Sequence, residues 1–251
     1  MKRFIFFLAL LLALPFGVEA KTNSYIAGSV VAAAPSGDSC TGNLLYSHHA
    51  ENNDDATTSA SGTQGCSASA TYKSWALAGA DYDSTAGNFS DGAYSLRGNG
   101  YNDQATITNT GNWANVTAKG CVSMWYKPDG SNNSTVFEFL IDANNFIKAY
   151  YDNTADTISI THMGGSSSNT KTSTATFTAG TVIKMGWDAS LGDGSEVLQV
   201  KVGANAWETT STYTLGTMSG NFAALLIGVW DGNFYGNIDQ LQIYTSADCT
   251  P

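Results

Sequence analysis

Carboxylates, histidines and aromatic rings are the side chains with which this chain could do chemistry. Beyond residue 20 it holds four glutamates: Glu51, Glu138, Glu196 and Glu208. The stretch "EFLID" comes nearest to a catalytic carboxylate pair, with Glu138 and Asp142. Glycoside hydrolysis needs two carboxyl groups about 5–5.5 Å apart for retention, or about 6.5–9.5 Å for inversion. Four residues along a strand span about 13 Å, too far for one bond. Glu138 reads as a polar residue of an amphipathic strand unless a neighbouring strand supplies its partner. The three histidines are His48, His49 and His162. The adjacent pair in "SHH" falls on opposite faces of a strand and cannot act together. No G-x-S-x-G elbow, H-E-x-x-H pair or phosphate loop occurs. Catalysis is therefore the weaker expectation and binding the stronger.

Sugar-binding β-sandwiches stack pyranose faces on aromatic rings and hydrogen-bond hydroxyls with amides and carboxylates. "GVWDGNFYG" (228–236) offers such a set: Trp230, Phe234 and Tyr235 around a turn with Asp231 and Asn233. Tyr101 and Trp113 flank other loops. Trp125 and Trp187 read as core.

One further carboxylate stands out. In "FYGNIDQLQIY" (234–244) strict alternation puts Asp239, Leu241 and Ile243 on one face. Ile238, Gln240, Gln242 and Tyr244 take the other. The first face is the more apolar and is expected to meet the core, so Asp239 needs partners there. It either binds a cation or accepts backbone N–H groups.

These side chains must be positioned by strands. Short β-branched and aromatic runs recur from Leu44 to Tyr244, separated by turn signals such as "DNTAD" and "SLGDGS". About thirteen strands are expected, with no repeat and no helix beyond the leader. Many short strands in one unit make an all-β, two-sheet antiparallel sandwich, a jelly roll or barrel. Residues 1–20 read as a secretory signal peptide: Lys2 and Arg3, an apolar run, then "VEA". Residues 21–39 read as a small polar linker and residues 40–251 as the domain. No later stretch is long and apolar enough to span a membrane. The formal charge of −10 disfavours nucleic acid and anionic lipid. Cys40, Cys66, Cys121 and Cys249 imply two disulfides in an exported protein, with three connectivities open.

Three stretches resemble laminin-G-like, concanavalin A-like jelly rolls. They are "DGAYSLRGNGYNDQATI" (91–107), "CVSMWYKPDG" (121–130) and "GNIDQLQIY" (236–244). The resemblance implies that the first and last strands lie side by side. It also implies a structural calcium ion on Asp239, with further ligands from Glu51, Asn52 and the Asp91–Gly92 turn. Calcium's preference for six to eight oxygens suits such a set. The same adjacency favours Cys40–Cys249 and Cys66–Cys121, with Cys40–Cys66 as the alternative for the polar loop.

The expectation is a secreted, non-catalytic binding or adhesion domain on a glycan or a surface protein. One alternative is a structural protein that self-assembles on a cell, filament or virus surface. The other is a divergent polysaccharide hydrolase or lyase.

Overall fold

Alternating polar and apolar residues drive most strands of this computed structural model, and two stacked antiparallel sheets bury the apolar sets. The structure describes residues 42–48, 59–61, 74–84, 95–101, 103–108, 112–177, 180–192, 194–228 and 233–251. Residues 34–251 form one unit, and residues 1–33 form another that lies outside the described residues.

In chain order the strands are β1 (Leu44–His48), β2 (Ser59–Ser61), β3 (Ser74–Ala78), β4 (Asp81–Asp83), β5 (Ser95–Tyr101) and β6 (Gln104–Thr108). A short 3-10 helix, Asn112–Val116, precedes β7 (Lys119–Pro128), β8 (Ser134–Asp142), β9 (Asn145–Asp152), β10 (Thr157–Gly164) and β11 (Ser167–Thr172). The last five are β12 (Thr181–Asp188), β13 (Glu196–Val202), β14 (Glu208–Tyr213), β15 (Ala224–Ile227) and β16 (Asn233–Tyr244). Sheet A runs β14-β13-β12-β7-β16-β5-β4, with β1 also on β16; sheet B runs β11-β10-β9-β8-β15-β6-β3-β2. The all-β sandwich expected from the sequence is thus observed, and β1 does lie antiparallel to β16.

The two inner faces share one core. Its centre is aromatic: Trp113 meets Tyr46 and Phe139 edge-on, each at 5.6 Å, and Phe139 stacks on Phe222 at 5.1 Å. Trp187 is fully buried and donates its Nε1–H to the Val116 carbonyl at 2.9 Å. Trp113, read as a loop aromatic, is 1% exposed and belongs to this core, because the 3-10 helix turns it inward. The edge strands β11 and β14 have almost no apolar residues, "SSNTKT" and "ETTSTY". Period-two hydrophobicity is absent there, and pairing with β10 and β13 defines them instead.

The disulfide expectation is corrected. Cys121 bonds to Cys249, with Cα atoms 5.2 Å apart. Cys121 sits opposite Tyr244 on the outer face of sheet A. The chain reverses after β16, so Cys249 returns over β7 instead of reaching Cys40 ahead of β1. Neither Cys40–Cys249 nor Cys66–Cys121 is compatible with that bond. Cys40 and Cys66 themselves lie outside the described residues.

Candidate functional site

The closing strand does not alternate strictly. Asp239 pairs with Trp125 and Gln242 with Ser123, so three steps on β16 match two on β7. This is a β-bulge, and Gln240 carries it with φ of 51°. One extra residue exchanges the faces on its two sides. Ile238, Leu241 and Ile243 all point into the core. Asp239 therefore lies on the outer face of sheet A, which corrects the core-face assignment. It is nonetheless fully buried, and its Oδ1 accepts the Gln240 amide at 2.8 Å.

On the other flank of β16, β5 pairs only as far as Ile238 and β1 begins pairing at Leu241. Asp239 and Gln240 face the gap between them. In the chain, residues 49–58 follow the end of β1 and residues 85–94 precede the start of β5. Those segments carry Glu51, Asn52, Asp91 and Gly92, all outside the described residues. Beside the gap, the Asn237 amide donates to the Asp83 carboxylate and to the Ser95 hydroxyl, both at 3.0 Å. A buried carboxylate at this junction suits a calcium ligand. No cluster of three His, Cys, Asp or Glu side chains suited to a metal exists among the described residues.

The expected aromatic turn divides. Phe234 is fully buried in the core and lies against Gly98, where a Cβ would collide with its ring. It has no face to offer a ligand, because its place on β16 points inward. Tyr235 is half-buried; its carbonyl accepts the Tyr126 hydroxyl at 3.0 Å and its amide donates to Ser134 Oγ at 3.1 Å. Trp230, Asp231 and the Asn233 side chain lie outside the described residues.

A cleft lies instead on the outer face of sheet A. It measures about 450 Å³ and is lined by Ser47, Ser123, Trp125, Val182, Lys184, Gln240 and Gln242, with Met124 behind them. Strand register explains the gathering. Lys184, Ser123, Gln242 and Ser47 form one cross-strand row over β12, β7, β16 and β1. Val182, Trp125 and Asp239 form the next. Trp125 is only 8% exposed, because its indole leans over Gly180 at the start of β12. It thus makes a wall of the cleft and not a free platform. The Tyr244 hydroxyl donates to Gln242 Oε1 at 2.8 Å. Burial holds the Tyr244 phenol above its usual range, so it stays a donor. That contact orients the Gln242 amide and leaves its NH2 able to donate into the cleft.

The chain's end closes the other half of this face. Ala247 lies against Gly186, its carbonyl filling the space of a Cβ and accepting Gln199 Nε2 at 2.6 Å. The Cys121–Cys249 bond fixes the segment there, with Tyr244, Leu44 and Trp207 packed around it. Trp125 was read as core, yet "CVSMWYK" carries the signal to place it. Cys121, Ser123, Trp125 and Lys127 alternate with Val122, Met124 and Tyr126, and only the second set is apolar core.

The carboxylates weighed for catalysis occupy sheet B. Glu138 is half-exposed on its outer face, opposite Lys148 and Leu226. Partial burial pushes its carboxyl above the usual range, against the pull of Lys148. Asp142 is spent on the next turn: its Oδ1 accepts Asn144 N at 2.8 Å and Asn145 Nδ2 at 2.9 Å, which hold it below the usual range. A second cleft, about 420 Å³, lies between the 3-10 helix and residues 216–221; Thr217, Met218 and Asn221 line it without a charged or aromatic side chain.

No protein-family model matches the sequence, and no curated protein is similar to it. Solved structures do share the fold. A botulinum neurotoxin type C structure, described as dependent for cell entry on two ganglioside molecules, superposes with a TM-score of 0.59 at 8% identity. The match covers 82% of this chain and 48% of that one. The binding domain of botulinum neurotoxin DC in complex with SialylT gives 0.56 at 10% identity, over 78% and 49%. The chain spans about half the length of these toxin structures. Domain 4 of an extracellular arabinanase from Geobacillus stearothermophilus, in complex with arabinotriose, gives 0.54 at 17% identity. That match covers 82% of this chain and 95% of the arabinanase domain.

Proposed function

We propose that this protein is an exported carbohydrate-binding domain without catalysis of its own, and that it holds its glycan in the outer-face cleft of sheet A. One observation carries the reading: an indole wall, two glutamines, two serines and an ammonium converge on one cleft of about 450 Å³. Apolar ring contact with a few placed polar groups is what a sugar requires. The disulfide accords with export. The arabinanase domain, matched over nearly its whole length, gives the fold a sugar-binding precedent. The toxin matches support the same reading less directly, since they span under half of each structure.

The test is a glycan array followed by calorimetry on the best hit, with Trp125→Ala, Gln242→Ala and Tyr235→Ala. Loss of the indole is expected to weaken binding by at least tenfold, about 1.4 kcal/mol. The Gln242 variant, with circular dichroism on each, guards against mere misfolding. Binding that survives both cleft variants but is lost in Tyr235→Ala would return the site to the loop. No hit on any glycan removes the reading.

Asp239 supports a calcium ion at the β1/β5 gap as a further part of this proposal, with Glu51, Asn52, Asp91 and Gly92 as the remaining candidate ligands. The ion would neutralise a buried carboxylate and tie two loop segments to β16. Chelation is then expected to lower the melting temperature of the wild type and to leave Asp239→Asn unmoved. Identical melting with and without chelator rejects the ion and spares the cleft.

A further inference from the structure

Cations gather on the face that carries the cleft. The chain has a formal charge of −10, with 21 acidic and 11 basic residues. Seven of the basic residues are described, and five of them lie on the outer face of sheet A: Arg97, Lys119, Lys127, Lys184 and Lys201. Lys119 is engaged, with Nζ 3.1 Å from Asp188. Lys184 and Lys201 are not. They stand directly opposite each other on β12 and β13, and among the described residues neither forms an ion pair or side-chain hydrogen bond. Like charges facing across adjacent strands oppose folding. Strands lie about 4.8 Å apart, so one anion is within reach of both lysine side chains.

The row continues from this pair straight into the cleft: Lys201, Lys184, Ser123, Gln242, Ser47. Every group of the row can donate: two ammoniums, then the Ser123 hydroxyl and the Gln242 amide, whose oxygen already accepts from Tyr244. The carboxylate in the adjoining row, Asp239, is fully buried and accepts a backbone amide. A neutral sugar would leave the lysine pair unbalanced. We infer that the cleft takes an acidic glycan, with a carboxylate or sulfate of the ligand seated between Lys184 and Lys201. This rests on the reading that the cleft binds glycan.

Calorimetry on the full chain tests it with two matched pairs of probes: tetragalacturonate against its methyl ester, and a dextran sulfate oligomer against plain dextran. Each is measured in 50 mM and 300 mM NaCl. The charged member of at least one pair should bind tenfold or more tighter than its neutral partner, and the pair that responds identifies carboxylate or sulfate. Lys184→Gln and Lys201→Gln should each cost about fivefold, the size of one partly exposed ion pair, and flatten the salt dependence. Lys148→Gln, on sheet B, should change nothing. Equal binding of charged and neutral probes, lost in Trp125→Ala, overturns the acidic preference and leaves the glycan site standing. An equal effect of Lys148→Gln and Lys184→Gln makes the attraction diffuse and also overturns it. If no probe and no arrayed glycan binds, both readings fall.

Discussion

Gln240 decides which way the closing strand presents its side chains. Its left-handed backbone lets β16 gain one residue on β7, so Ile238 and Leu241 both reach the core. A side chain in that conformation costs about 1 kcal/mol that glycine does not pay. Gln240→Gly should therefore raise stability by up to about 1 kcal/mol, less the added freedom of the unfolded chain, as read from the urea midpoint. A clear loss of stability would mean that the Gln240 side chain contributes more than its backbone costs. Gly186 is the opposite case. A methyl there strikes the Ala247 carbonyl, so Gly186→Ala should lift the C-terminal segment and cost about 1–3 kcal/mol. Unchanged stability in that variant would show the segment can settle elsewhere.

The elements of sheet A divide the outer face into a covered half and an open half. Residues 245–251 cover the row of Gly186 and Cys121, and the cleft occupies the row beyond. The Cys121–Cys249 bond closes a loop of 128 residues. Loop-closure entropy sets its worth at about 4–5 kcal/mol. The double variant Cys121→Ser/Cys249→Ser should melt well below the wild type while keeping the sandwich by circular dichroism. Melting at the wild-type temperature would place the constraint elsewhere. Strand existence was legible wherever one face is apolar, as in β7 and β16. The polar edges β11 and β14 were not legible, because their pairing is set by neighbours and not by their own pattern. The bulge was invisible for a related reason: nothing in "IDQL" marks a residue for positive φ, where glycine or asparagine would have.

Among the described residues of the whole molecule, one histidine is fully buried. His162 lies on the inner face of β10 with Ile158 and Ile160, fully buried, and neither ring nitrogen makes a hydrogen bond of good geometry. Burial pushes its imidazole down to about 4, the Leu215 backbone offsetting part of the effect. The unfolded chain takes this proton near its ordinary value of 6.5, and the folded chain only near 4. The stabilising contribution is therefore whole above about pH 6.5, and it is lost as pH falls toward 4, roughly 3 kcal/mol in all. Glu138, held high by burial, works in the opposite sense as it protonates. The comparison that isolates the histidine is wild type against His162→Leu, with urea unfolding from pH 7.5 to 4. The variant should lose less stability across that range, and parallel curves would rule the histidine out.

Composition, period-two patterning and turn residues are local properties, and they sufficed for a two-sheet β-sandwich; the adjacency of its first and last strands was implied only by the resemblance to laminin-G-like jelly rolls. The local properties also sufficed to favour binding over catalysis, since the residue types needed for hydrolysis are scarce. Only the tertiary structure decided which residues share a face. The bulge moved Asp239 outward, the turn after β16 sent Cys249 to Cys121, and the core claimed Phe234 and Trp113. The cleft was beyond sequence reading because its lining comes from four strands far apart in the chain. Cross-strand register is a long-range property, and a shift of one residue in any of those strands would face a different set of side chains outward.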